Sequence, residues 1–216
     1  MLLTRGSGTN HQTIEVGCQE YHDLNGDWLP HLFVFFTTNN YTKHGKRLGG
    51  YNQNVEGWVQ VADTIHPGAL LSRTSELDGP QRILRLKVQL WEGNWWVKVK
   101  DTWIGFYPAD LFSTDGLRSE AAAVKWYGEV ADSKADSVTT RTDMGNGHWP
   151  YEGWQRCAYM HSLRYQSSPR GTMTRYQGDA WATHPDCYDI EAHFDNTDDW
   201  GSYFWWGGSG RNSGCP

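Results

Sequence analysis

Apolar residues recur at every second position in Arg82-Ile83-Leu84-Arg85-Leu86-Lys87-Val88-Gln89-Leu90. One face of this stretch carries Leu84, Leu86, Val88 and Leu90, and the other carries Arg85, Lys87 and Gln89. This period of two predicts a half-buried β-strand. The turn residues Glu92-Gly93-Asn94 follow, and residues 95–100 then form a second β-rich run. The sequence therefore predicts an antiparallel hairpin.

Similar β-rich runs fill the rest of the chain, at residues 13–19, 32–38, 55–62, 103–107, 124–131, 154–162, 188–194 and 203–206. Only residues 109–124 are helix-like, and Gly116 interrupts them, so crossover helices for a parallel sheet are missing. No repeat or composition shift marks a boundary. We predict an all-β protein, a single-domain antiparallel β-sandwich over residues 13–216, preceded by an N-terminal extension, residues 1–12, that is free to be flexible.

Composition narrows the possible functions. The 216 residues carry a net charge of −6, which gives no basic surface for nucleic acid. The longest apolar run, residues 32–36, is far shorter than the ~20 residues that cross a bilayer, so no membrane partner is expected. The 13 Trp residues are more than a core of this size needs, and they suit sheets and ligand grooves.

Several common chemistries are unsupported. The sequence lacks the GxSxG motif of serine hydrolases and the HExxH motif of zinc peptidases. Asp23-Leu24-Asn25-Gly26-Asp27 begins like a calcium-binding loop, but Val34 stands where the loop needs a bidentate carboxylate. We expect no metal and no cofactor.

Two glutamates lie inside segments that otherwise read as strands, Glu15 in residues 13–19 and Glu129 in residues 124–130. Glutamate is depleted in strands, so a glutamate at each of these positions is unusual. One interpretation is that both side chains point outward into solvent. The other is that both point into one groove, where two carboxyl groups could act on a single water molecule.

Seven ordered motifs carry a resemblance to the catalytic domain of the neprosin family of glutamic peptidases. They are Thr13-Ile14-Glu15-Val16-Gly17, Gly93-Asn94-Trp95-Trp96, Gly105-Phe106-Tyr107-Pro108, Tyr127-Gly128-Glu129-Val130, Met144-Gly145-Asn146-Gly147-His148, His184-Pro185-Asp186-Cys187-Tyr188-Asp189 and Gly208-Ser209-Gly210-Arg211-Asn212-Ser213-Gly214-Cys215-Pro216. Each motif alone is weak, but together they span the chain from Thr13 to Pro216.

The resemblance implies an antiparallel β-sandwich that acts as an endopeptidase cleaving after proline. It also implies that Glu15 and Glu129 are the catalytic residues. Two carboxyl groups converging on one water should share one proton over an acidic window. One glutamate would then take a proton from water and the other would protonate the leaving nitrogen. Which of them does which is open, and activity should be highest in acid.

The resemblance also suggests secondary site residues. Gln19 shares a strand face with Glu15 and could contact the oxyanion or a substrate amide, or simply make a cross-strand hydrogen bond. Tyr127 shares a face with Glu129 and could line the groove. Asp143 either lies near the catalytic pair or faces water. The family commonly has Gly, Gln and Trp at positions 127, 143 and 18, so these three departures bear on substrate specificity and leave the catalytic pair intact.

Proline specificity needs a flat aromatic wall. The candidates for it are Trp58, Trp126 and Trp205. Strand parity does not say which face lines the groove, and packing in the core is the competing interpretation of these rings.

The four cysteines, Cys18, Cys157, Cys187 and Cys215, form no CxxC pair. By themselves they are compatible with two disulfides or with free buried thiols. The resemblance implies a Cys187–Cys215 disulfide, which leaves Cys18 with Cys157 as a second possible bridge.

The expected partner is a proline-containing peptide or protein, and the expected state is a monomer. Residues 1–5 lack the apolar stretch of a secretory signal, while the resemblance implies an extracellular, secreted location. Two other functions remain open: a carbohydrate-binding β-sandwich, because exposed Trp rings stack on sugars, and a glycoside hydrolase, because paired carboxylates also cleave glycosidic bonds.

Overall fold

The computed structural model describes residues 1–132, 139–168, 171–212 and 214–215. The strands in these residues are β1 Leu2–Arg5, β2 Gln12–Gln19, β3 His31–Thr37, β4 Gly49–Tyr51, β5 Val59–Gln60, β6 Leu86–Trp91, β7 Asn94–Val99, β8 Thr102–Pro108, β9 Ala123–Lys125, β10 Ala158–Met160, β11 Arg164–Tyr165, β12 Thr174–Arg175, β13 Asp189–His193 and β14 Tyr203–Gly207. Helix in the same residues is limited to the α-helix His22–Asn25 and the 3₁₀ turns Gly8–Asn10, Ala109–Leu111 and Pro150–Glu152. Neighbouring strands pair antiparallel, which confirms the all-β, antiparallel prediction.

The chain divides into two compact units. Unit 1 comprises Met1–Thr74 and Arg82–Lys125, and unit 2 comprises Ser75–Gln81 and Trp126–Pro216. The short Ser75–Gln81 segment is bound to unit 2 through Asp78, whose backbone N–H donates to the Gln155 carbonyl at 3.1 Å. That the chain from residue 13 onward forms one domain stays a prediction.

Unit 1 contains two antiparallel sheets. One has the strand order β4-β3-β2-β1-β9 and the other β5-β8-β7-β6. A single apolar cluster takes side chains from both sheets, for example Phe36 of β3 and Tyr107 of β8, whose ring centroids are 5.1 Å apart. Burial of this cluster provides the main free energy that holds the sheets together.

The predicted hairpin is formed by β6 and β7, which are joined by Glu92 and Gly93. Both turn residues have positive φ, 47° and 72°, as the tight hairpin turns that match strand twist require. Strand β6 begins at Leu86, four residues later than the alternation begins. The alternating apolar side chains nevertheless pack against the unit 1 core, as predicted; they are Leu84, Leu86, Val88 and Leu90.

Alternate residues of strand β2 lie on opposite faces of its sheet. Ile14 and Val16 are fully buried in the core, whereas Glu15 and Gly17, which alternate with them along the strand, are only partly buried. Because successive strand side chains alternate between faces, Glu15 and Gln19 lie together on the face away from the core.

The first residues differ from the expected flexible extension. Strand β1 pairs with β2 on one side and with β9 on the other, and Leu3 is part of the core. Its backbone hydrogen bonds are used on both edges, so residues 2–5 are an integral part of the sheet.

Unit 2 contains a three-stranded sheet of order β10-β14-β13 and the two-stranded pair β11-β12. The strand predicted over residues 124–131 ends at Lys125. Lys125 pairs with Leu2, the first residue of β1, and the described pairing with β1 ends there. Glu129 therefore lies outside regular strand, contrary to the sequence interpretation.

Candidate active site

Glu15 is held by two hydroxyl groups. Its Oε1 accepts a hydrogen bond from Thr13 Oγ1 at 2.8 Å and another from the Tyr41 hydroxyl at 2.7 Å. Thr13 is fully buried two residues earlier on the same strand, whereas Tyr41 comes from the loop after β3. Hydrogen bonds to a carboxylate are stronger than those between neutral groups, so these contacts orient the Glu15 side chain.

Aromatic rings surround this glutamate. Tyr41 stacks on Phe35, the residue opposite Glu15 on β3, with ring centroids 5.8 Å apart. Phe35 also contacts Tyr51, with ring centroids 4.7 Å apart.

Gly17 allows a further ring to approach the same strand. At Gly17 a β-carbon would lie 3.0 Å from the Phe33 ring, so the absence of a side chain there lets that ring pack over the strand.

Gln19 lies on the same strand and face as Glu15. Its Nε2 is buried, and no described residue accepts a hydrogen bond from it. A cross-strand hydrogen bond from this nitrogen, the competing interpretation, is therefore not formed. A buried amide N–H without a hydrogen-bond partner costs folding free energy. The Gln19 nitrogen is therefore available to donate a hydrogen bond to a substrate.

Glu129 is exposed in unit 2, and both its neighbours are anchored. A β-carbon on Gly128 would lie 2.1 Å from the Trp206 indole, so only glycine allows the backbone to reach that ring. On the other side, Val130 packs against a cluster formed by Cys187, Tyr188 and Cys215. These contacts set the position of the backbone that carries Glu129.

The other two predicted site residues, Tyr127 and Asp143, also belong to unit 2. Tyr127 is half-buried two residues before Glu129, and Asp143 is exposed. Burial, and then the charge of Asp143, raises the pKa of the Tyr188 phenol. Asp143 is thus solvent-accessible, and its placement near the catalytic pair stays a prediction.

The predicted Cys187–Cys215 disulfide is present, with Cα atoms 5.1 Å apart. The predicted second bridge is not formed, because Cys18 and Cys157 are both free. The Cys157 thiol donates to the Gly153 carbonyl at 3.3 Å, and its burial raises the pKa of the thiol to about 11. Cys157 behaves as a buried, unreactive thiol, which was the alternative interpretation.

The three tryptophans considered for a proline pocket have different surroundings. Trp58 packs against the unit 1 core, with its ring 5.2 Å from Tyr107. Trp126 contacts Tyr176 at 5.1 Å, and Trp205 belongs to an aromatic cluster in unit 2. Trp58 is therefore a core residue, as the competing interpretation held.

Sequence reasoning missed Thr13, Tyr41 and Trp206. Thr13 had a signal, since it lies two residues from Glu15 on one strand face. Tyr41 had none, because a loop residue 26 positions away reaches Glu15 only through the folded chain. For Trp206 the signal was the glycine before Glu129, which indicates that another group approaches the backbone there closely.

No group of three or more His, Cys, Asp and Glu side chains able to hold a metal ion occurs among the described residues. Within the same part of the chain, no helix has the length and apolarity needed to cross a membrane.

Comparison with known families assigns the chain to a family. A family model described as Neprosin matches residues 1–209 of the 216-residue chain. The matched range contains both glutamates and their anchoring segments, apart from Cys215. The chain therefore belongs to the Neprosin family, and this membership indicates a peptidase of the neprosin type.

Proposed function

We propose that the protein is an acid-acting glutamic endopeptidase that hydrolyses peptide bonds after proline, using a water molecule activated between Glu15 and Glu129. The observation that carries the proposal is the family match, which spans both glutamate motifs. The hydroxyl contacts of Glu15 and the anchoring of Gly128 and Val130 support it, because catalytic groups need fixed orientations.

In this mechanism Glu15 is the base. Hydrogen bonds from Thr13 and Tyr41 are strongest when Glu15 is ionised. Glu15 therefore takes a proton from the water molecule while the water oxygen attacks the peptide carbonyl carbon. Glu129, protonated, hydrogen-bonds the developing oxyanion and then gives its proton to the leaving nitrogen. The C–N bond then breaks. Glu15 now holds the proton that it took from water and Glu129 is ionised, so the pair again carries one shared proton.

Gln19 is the second oxyanion donor in this proposal. Its Nε2 has no acceptor in the described part of the chain and lies on the strand face of Glu15. A preorganised donor of this kind is worth most when negative charge develops on the carbonyl oxygen. Tyr127 and Asp143 line the substrate side near Glu129.

The proposed substrate is a proline-containing peptide or protein, acted on by a monomer outside the cell. The Cys187–Cys215 disulfide is compatible with that location, because disulfides persist in oxidising compartments.

Two peptides that differ by one Pro→Ala change test the proposal. At pH 4.5 we expect cleavage on the carboxyl side of the proline, located by mass spectrometry, and at least tenfold slower cleavage of the alanine peptide. Soluble glycans, incubated in parallel, should remain intact. Equal cleavage of both peptides would remove the proline preference, and glycan hydrolysis would favour a glycosidase.

The same assay, repeated from pH 4 to pH 8, tests whether Glu15 and Glu129 share one proton in the active enzyme. Activity should fall towards neutral pH, because the second carboxyl then ionises and no acid remains for the leaving nitrogen. A rate that stays constant across this range contradicts the mechanism.

Replacing Tyr41 by Phe tests the hydroxyl contact with Glu15. One hydrogen bond to a partly exposed carboxylate is lost, so we expect kcat/KM to fall roughly tenfold while the melting temperature changes little. The matched control is Tyr21→Phe, the same change at a similarly exposed tyrosine. If both variants keep full activity, the Tyr41 hydroxyl has no role in orienting Glu15.

A further inference from the structure

Unit 2 contains a cavity of about 370 Å³ that the peptidase mechanism does not use. Four aromatic side chains and one carboxylate surround it, and we call it the aromatic pocket; its residues are Trp154, Asp198, Trp200, Tyr203 and Trp205. Trp154 is 46% exposed, so a ligand in solvent can reach the rings.

The aromatic pocket lies on the opposite side of β14 from the segment that carries Glu129. Tyr203 and Trp205 alternate along β14 with Phe204 and Trp206, and successive strand residues point to opposite faces. Trp206 is the residue that packs against Gly128. The pocket is therefore distinct from the Glu129 half of the candidate active site.

Neighbouring rings of the aromatic pocket are inclined to one another by 48° to 79°. Trp154 and Trp200 are inclined at 79° with centroids 5.1 Å apart, and Trp200 and Tyr203 at 71° with centroids 5.3 Å apart. Tyr203 and Trp205 are inclined at 76°. A sugar ring stacks on one flat platform, whereas a compact, roughly spherical group can contact several inclined rings at once.

The charge at the aromatic pocket is negative. Asp198 Oδ1 accepts a hydrogen bond from the Trp200 backbone N–H at 2.8 Å, which fixes the carboxylate at the wall. Among the described residues, no Lys or Arg lines the cavity. Burial, followed by the charges of Asp198 and Glu191, raises the pKa of the Tyr203 phenol, as expected beside negative charge.

Three described basic residues of unit 2 near the aromatic pocket already have contacts of their own. Arg175 donates to the Asn196 carbonyl at 2.7 Å. His193 stacks on Tyr203 and bonds to Glu191 at 2.9 Å, and His161 packs against Trp200. None of these three residues lines the cavity.

We propose that the aromatic pocket binds a quaternary or methylated ammonium group, such as those of choline or trimethyl-lysine. The faces of aromatic rings carry negative electrostatic potential and attract cations, Trp most strongly. Methyl groups on the ammonium fit against the inclined rings, and Asp198 supplies the balancing charge.

The test compares choline with its neutral isostere 3,3-dimethylbutan-1-ol, which has the same shape without the charge. Titration at pH 7.5 by calorimetry or Trp fluorescence should show choline binding at least tenfold more tightly. Equal binding of the two would mean that the pocket is merely apolar. Binding of a simple pyranose in place of choline would overturn the proposal as well.

Two variants locate the site. Trp154→Ala should weaken choline binding at least tenfold, and Asp198→Asn several-fold, since asparagine keeps the acceptor for the Trp200 N–H but loses the charge. The matched control is Trp181→Ala, which removes an exposed Trp outside the pocket and should leave binding unchanged. Choline affinity that survives both pocket changes excludes this site.

Phosphocholine and a trimethyl-lysine dipeptide, added in separate titrations, distinguish a lipid-derived from a protein-borne ammonium group. Tighter binding of either one supports the proposal and names the source. Failure of choline and of both these compounds to bind overturns it.

Discussion

Replacing either candidate catalytic glutamate by glutamine, Glu15→Gln or Glu129→Gln, is expected to lower kcat/KM on a proline-containing peptide by about a thousandfold or more. An amide neither takes a proton from water nor gives one to the leaving nitrogen. Because the two carboxyls act on the same water, the double variant should be scarcely worse than either single one. Steady-state kinetics at pH 4.5 measure all three variants.

Folding must be shown to survive these changes. Glu15 is partly buried and Glu129 exposed, so the melting temperatures should stay close to that of the parent protein. The matched controls are Glu20→Gln in unit 1 and Glu76→Gln in unit 2, both at exposed glutamates, and both should keep full activity. If either catalytic variant retains more than a tenth of the parent activity, the two-glutamate mechanism is wrong.

Changing both Cys187 and Cys215 to alanine removes the disulfide. This double change is expected to lower the free energy of unfolding more than any other substitution proposed for this protein. The cross-link joins residues 28 positions apart, which corresponds to roughly 3–4 kcal/mol of loop-closure entropy and a fall of about 10 °C in melting temperature. Since Val130 packs on this cluster, kcat at 25 °C should also drop by roughly ten- to a hundredfold.

Cys157→Ala is the control for that double variant. It removes a buried sulfur from the same unit without breaking a bridge, and its cost should be about 1 kcal/mol. Calorimetry or thermal circular dichroism measures both proteins. A double variant that melts no lower than Cys157→Ala would show that the bridge is dispensable.

Local pattern is enough to predict the class of fold and the β6–β7 hairpin. The alternation through Leu84, Leu86 and Val88 specifies which face of β6 meets the core, because a period of two sends successive side chains to opposite sides. The turn at Glu92-Gly93 could be predicted from Gly93, because glycine adopts a positive φ angle at no steric cost. The pairing of Cys187 with Cys215 came from family resemblance, and the structure confirms it.

The surroundings of the glutamates could not be read from local pattern. Strand parity placed Glu15 with Gln19, but it could not show that Tyr41 reaches Glu15 across 26 positions. Nor could it show that the strand predicted around Glu129 stops at Lys125, because a strand's length depends on whether its partner continues. The second bridge, Cys18 with Cys157, failed for a similar reason: an even cysteine count does not say where the sulfurs lie.

The sequence by itself determined the class of fold and the faces of strands such as β2 and β6, and its motifs led to the proposal that Glu15 and Glu129 are catalytic. Each of these depends on residues close together in the chain or on motifs matched in order. Only the tertiary structure decided that Tyr41 and Thr13 hold Glu15, that Trp206 and the disulfide cluster flank Glu129, and that four aromatic rings enclose a second pocket. Contacts between distant residues follow from how strands pair and pack, and no local periodicity encodes that choice.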